Sequence, residues 1–142
     1  MTRSLIVLLI LAIGCVTGST QTTSALNDRA CEGVLAQFVA DTAVDGAQRL
    51  GEWQARPTQS VARYPREMLS RRVEGRVTFS FVIDTLGAVV PGSGWIHEET
   101  DYAFGQQVCA WLRQARFSPL RLDGRARSVL VRRLEHRFRI RG

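Results

Sequence analysis

Between Gly75 and Gly87 the chain reads GRVTFSFVIDTLG, and no other stretch restricts its folding so strongly. Val77, Phe79, Phe81 and Ile83 alternate with Arg76, Thr78, Ser80 and, after Val82, Asp84. A period of two puts the four large apolar side chains on one side of an extended strand and the polar set on the other. β-branched and aromatic residues suit that pleated, half-covered surface. Asp84-Thr85-Leu86-Gly87 then turns the chain back, as Asp and Gly do between strands. The apolar side needs a facing layer, and the flanking residues supply one.

Tyr64-Pro65 precedes this strand. Pro65 suits the first position of a short helix, where its missing N–H costs nothing. Glu67 near the start of that helix, and Arg71 and Arg72 near its end, match the helix dipole. After the glycine turn, residues 88–96 form a poorer strand interrupted by Pro91-Gly92-Ser93-Gly94, which predicts an edge position or a bulge. From Thr100, a cap residue, Phe104, Val108, Trp111, Leu112 and Ala115 repeat at helical spacing. A turn at Asp123-Gly124 leads to a last strand over residues 128–140. Its reading places Leu130, Leu134, Phe138 and Ile140 on one side and Arg133, Glu135, Arg137 and Arg139 on the other. Arg132 and His136 interrupt the apolar side, so a bulge or an edge strand is expected.

The first 25 residues read differently. Arg3, an apolar run from Leu5 to Ile13 and Gly14-Cys15 make a secretory signal, because about 20 apolar residues are needed to cross a membrane. The ending Ala12-Ile13-Gly14-Cys15 resembles a bacterial lipobox, with Cys15 as the lipidated residue; cleavage after Gly18 or Ala25 is the competing outcome. Either way Cys31 and Cys109 remain. In an exported protein the two can pair, or they remain as buried thiols, which behave as small hydrophobes. Residues 26–55 are expected to form a helical extension and linker. Val34, Leu35, Phe38 and Val39 predict a helix from Asp28 to about Leu50, capped by Asn27 or Asp28.

All basic residues are arginine, and the net charge is +6. From Arg113 to Arg141 only Asp123 and Glu135 oppose them; this reads first as the solvated face of a strand, and otherwise as a face that attracts anionic lipid or a cell-wall polymer such as peptidoglycan. Nucleic acid is not expected as the partner of an exported chain. Catalytic patterns are absent. His97, Glu98 and Glu99 with His136 lack the spacing of a helical zinc motif. Ser80, Ser93 and Ser118 sit in no nucleophile motif with evident His or Asp partners. No glycine-rich phosphate loop is present, so no cofactor, no metal and no enzyme activity are expected. Trp53, Trp95 and Trp111 read as core or partly buried residues.

The ordered set of Tyr64-Pro65, EGRVTFSFVID, AFGQQVCAWLRQARFSP, LDGR and HRFRI resembles the C-terminal domain of the TonB energy-transducer family, over residues 56–142 as a domain. The resemblance implies an α+β fold: a three-stranded antiparallel sheet with helices on one face in the order αββαβ, here preceded by the extra N-terminal helix. It implies a periplasmic binding module that takes a short peptide, the TonB box of an outer-membrane transporter, along the edge of the last strand. By that likeness the peptide path involves Arg63, Tyr64 and Pro65, with Leu130, Arg132, Leu134, His136 and Phe138 on the strand. The signal and short tether imply a stand-alone member; an envelope lipoprotein holding cell wall or lipid on its arginine face is the alternative.

Overall fold

A computed structural model describes residues 28–32 and 38–142 of the chain. The secretory signal and the lipidation position at Cys15 lie outside the described residues. The elements run β1 (Arg29–Ala30), β2 (Thr42–Asp45), β3 (Arg49–Leu50), β4 (Trp53–Gln54), α1 (Arg66–Ser70), β5 (Gly75–Ile83) and β6 (Trp95–Glu99). They continue with α2 (Tyr102–Leu112), β7 (Leu120–Leu122), β8 (Arg125–Arg127) and β9 (Val129–Phe138). The main sheet has five strands in the order β1-β6-β5-β9-β2, and β3-β4 and β7-β8 are separate hairpins.

The alternating strand predicted from the sequence is β5, and it is the centre of the sheet. Val77, Phe79, Phe81 and Ile83 are fully buried beneath α2. Thr78 and Ser80, read as a polar face, are buried too, because β6 and β9 flank the strand on both sides. Asp84 fixes the following turn: its carboxylate accepts the Leu86 and Ala88 N–H groups, each at 2.9 Å. Gly87 has φ +84°, and a Cβ there would meet the Phe117 carbonyl oxygen at 2.1 Å; only glycine fits.

The three antiparallel strands expected are β6, β5 and β9. Two N-terminal strands widen this sheet to five. The predicted helix over residues 28–50 is not formed where the chain is described: residues 29–30 pair antiparallel with β6, and residues 42–45 pair parallel with β9. Helical spacing ends at Val39, and beyond it Val44 is buried at 3% exposure against the core. Burying one such side chain is worth about 1.5–3 kcal/mol, more than a short helix gains from propensity alone. Pro91 lies in the turn before β6 rather than in it, and β1 covers the outer side of β6; β6 is therefore not an edge strand, but it does carry a bulge, at His97, between the Thr78–Glu98 and Phe79–Ile96 pairs.

α2 starts one residue later than predicted. Asp101 is its cap, accepting the Ala103 N–H at 2.8 Å, while the Thr100 hydroxyl oxygen accepts the Arg76 N–H. Pro65 likewise stands just outside α1, with the Leu69 N–H donating to its carbonyl. Phe104, Val108, Trp111 and Leu112 face the sheet; Phe79, Phe81, Trp111 and Phe117 form one aromatic group in the core, and Phe104 and Phe138 pack as a second. Trp111 is in the core while Trp53 and Trp95 are partly buried, as predicted. Cys31 and Cys109 form a disulfide that ties the N-terminal segment to α2. The Asp123-Gly124 turn has φ +51° and +73°, the left-handed pair that a two-residue hairpin favours.

Candidate functional site

β9 is the candidate site, and its shape comes from one irregularity. Phe79 pairs with Leu134 and Phe81 with Val131, so Arg132 and Arg133 together oppose Ser80. This is a bulge. Arg133 adopts φ +50°, and its N–H donates to the Ser80 hydroxyl oxygen at 2.9 Å. The extra residue shifts the alternation. Val129 and Val131 before it, and Leu134, His136 and Phe138 after it, share the helix-covered side. Leu130 pairs with Val82 on the opposite side, so the reading that grouped Leu130 with Leu134 is corrected.

One edge of β9 is taken by β5 along its length. On the other edge β2 pairs with residues 129–132 only. Beyond the bulge, residues 133–138 have no strand partner on that side among the described residues. The expected open edge is thus half its predicted length. Arg133 reaches Glu98 at 2.6 Å, and Arg137 contacts Glu135. His136 lies edge-on to Phe138 at 4.6 Å, and burial lowers its pKa.

Tyr64 meets the end of this edge. Its ring lies edge-on to Phe104 and Phe138, at 5.9 and 5.6 Å, and its hydroxyl donates to the Val73 carbonyl at 2.7 Å. Pro65 is buried beside it. Arg63 is exposed and lines a separate groove of about 400 Å³ with Ser60, Gln107, Trp111 and Gln114. Tyr64, His136 and Phe138 therefore come together, Arg132 is paired with Asp45 of β2, and Leu130 and Arg63 point elsewhere.

Sequence reading gave Ser80 no partner, and the structure corrects this. Its hydroxyl lies 2.6 Å from His97 Nε2. His97 Nδ1 is 3.4 Å from the Asp28 carboxylate, which also accepts the Trp95 indole N–H at 2.8 Å. The group borders a cleft of about 570 Å³ on the helix-free side of the sheet. The amides beside Ser80 are already engaged, Arg133 with Ser80 and Val82 with Ser93, so neither offers an N–H to a developing oxyanion. The arrangement fixes the bulge. Glu98 and Glu99 turn to Arg133 and Arg29 instead of to His97, and no cluster of three His, Cys, Asp or Glu residues suited to a metal occurs among the described residues.

Comparison with known proteins agrees with this architecture. The structure is similar to the solution NMR structure of the Pseudomonas aeruginosa TonB C-terminal domain, with 23% identity, 74% of this chain and 98% of that one covered, and a TM-score of 0.50. A further likeness is to the TonB2 protein from Vibrio anguillarum, with 23% identity, 75% and 99% coverage, and a TM-score of 0.41. No curated protein sequence matches the chain. The sequence model of the Gram-negative bacterial TonB protein C-terminal domain matches residues 60–140, the span that holds α1, β5, β6, α2 and β7 to β9. With more than half of its length so matched, the chain belongs to the TonB C-terminal domain family, whose members are non-enzymatic modules.

Proposed function

We propose that this chain is an exported, periplasmic peptide-binding module of TonB-dependent transport, taking a TonB-box-like peptide of an outer-membrane transporter by strand addition to β9. The observation that carries the reading is the free outer edge of residues 133–138, beside a β5 that already satisfies the inner edge. Such an edge offers unpaired N–H and C=O groups to an extended peptide. Tyr64, His136 and Phe138 flank the end of that path, and the exposed Arg139, which makes no ion pair among the described residues, favours a peptide with acidic residues. Residues 1–25 route the chain to the envelope, and Cys15 is the position a lipid would take.

The test is a backbone NMR titration of the labelled protein with a synthetic TonB-box peptide. Amide shifts concentrated on residues 133–138 are expected. Unchanged spectra at peptide concentrations on the order of millimolar, beyond the weakest useful affinity, would count against the reading. Vesicles of anionic lipid and peptidoglycan fragments form the parallel arm. The exposed Arg121 and Arg125 of the β7-β8 hairpin favour such a surface, and shifts confined to that hairpin and lost with salt would favour the arginine-face reading instead.

A further inference from the structure

Half of the β9 edge is already occupied, and the occupant has a definite chemistry. β2 is the only parallel neighbour in the main sheet among the described residues, with Thr42 opposite Val129 and Asp45 opposite Arg132. A carboxylate holds each end. The Asp41 carboxylate accepts both the N–H and the hydroxyl of Ser128, at 2.8 and 2.9 Å, while the Asp41 N–H donates to the Ser128 oxygen at 3.0 Å. Asp45 takes Arg132 in a two-pronged pair at 2.7 and 3.2 Å. Between them Val44 is buried. Gly46, at φ +54°, donates to the Arg132 carbonyl and turns the chain away where the bulge begins.

We propose that residues 41–45 are a built-in occupant of the peptide-binding edge, and that the external partner is a parallel strand of the same chemistry which displaces them. The inference rests on the peptide-binding reading above and gives the partner a pattern. A carboxylate meets Ser128, a branched apolar side chain follows three residues later in the Val44 position, and a second carboxylate meets Arg132. Three observations favour displacement over permanent closure. The clamps at both ends are solvent-exposed contacts, which hold weakly against competition. The family match begins at residue 60, so the domain it describes does not include β2. Removal of β2 would join residues 129–132 to the free residues 133–138 as one edge spanning the whole strand.

A tethered strand competes at an effective concentration on the order of millimolar. The apparent affinity of a free peptide falls by the fraction of molecules whose edge is open. Loosening β2 must therefore tighten peptide binding without any change in β9.

The experiment uses the full chain and two loosened variants: Asp41→Ala alone, which alters an exposed side chain, and Asp41→Ala with Val44→Ser. Thermal melts establish that each is folded. The probes are a peptide of residues 40–47 (Ala-Asp-Thr-Ala-Val-Asp-Gly-Ala), the same composition scrambled, and a synthetic TonB-box peptide. The 40–47 peptide is expected to bind the loosened variants about tenfold more tightly than the native chain, shifting the amides of residues 128–132, with no response to the scrambled peptide. Equal affinity for native and loosened chains, or shifts away from β9, overturns the proposal. A TonB-box peptide that binds all three proteins equally, at residues 133–138 alone, overturns it while leaving the peptide-binding reading intact. If the 40–47 peptide binds as expected and the TonB-box peptide binds none of them, the occupied edge stands and the transporter reading fails.

Discussion

His136 places an imidazole where the β9 alternation calls for an apolar side chain, opposite Val77 and edge-on to Phe138. Burial holds its pKa below the ordinary value of 6.5. The unfolded chain therefore binds a proton at a pH where the folded chain does not. Stability from this group is complete above pH 6.5 and is lost as pH falls through the lower folded value. His136→Leu, which keeps an apolar side chain on that side, is expected to flatten this part of the profile. Urea midpoints measured from about pH 7.5 to about pH 5 check it, and a slope unchanged in the variant would assign the pH dependence to another group. Other residue-scale features differ in how far the sequence shows them. Tyr64-Pro65 was legible as a marker, but the contact of Tyr64 with Val73 and Phe138 was not, since it depends on how α1 folds back. The Ser80–His97–Asp28 chain was illegible for a plainer reason. Its members come from three separate segments, and periodicity within one segment says nothing about what lies across a sheet.

Among the elements, β9 shows where a correct periodic reading breaks. Arg132 and His136 signalled an irregularity, and the bulge is there, but its position decides which residues face the core. One inserted residue moved Leu130 and Leu134 to opposite sides, because side-chain direction alternates with every residue. Ser80 holds that bulge by accepting the Arg133 N–H and by meeting His97. Ser80→Ala is expected to cost about 1–3 kcal/mol, the penalty of a shielded donor left without its acceptor. Hydrogen exchange should accelerate first at Arg133. A variant as stable as the native chain, with Arg133 still protected, would mean that other contacts set the bulge. The N-terminal strands failed to show in the sequence for the complementary reason. Two- and four-residue strands carry too little pattern of their own, and tertiary pairing with β6 and β9 decides their conformation.

For the molecule as a whole, the order of the main elements was legible, while the way in which the N-terminal segment closes the sheet at both sides was not. β1 lies on the β6 side and β2 on the β9 side, and the disulfide secures only the first of these. Around it the Cys31 N–H donates to the Gly94 carbonyl at 2.9 Å, and Arg29 meets the buried Glu99 carboxylate under α2. Gly105 leaves room for that pair, since a Cβ there would stand 1.7 Å from the Glu99 oxygen. The disulfide joins residues 78 apart. Closing a loop of that size restrains the unfolded chain enough to contribute about 4–5 kcal/mol in the chain-entropy account, a large part of the stability of a domain this size. Paired Cys31→Ser and Cys109→Ser substitutions are accordingly expected to lower the denaturation midpoint by a comparable free energy. Native chain treated with reductant should fall to the same midpoint, and the paired variant should not respond to reductant at all. Exchange should rise at residues 29–31 and 94–96, while the β2 contacts at residues 128–132 keep their protection, because nothing at the disulfide touches that side of the sheet. Equal loss of protection on both sides would instead make the N-terminal segment a single cooperative unit, with opening at β1 transmitted to the β9 edge.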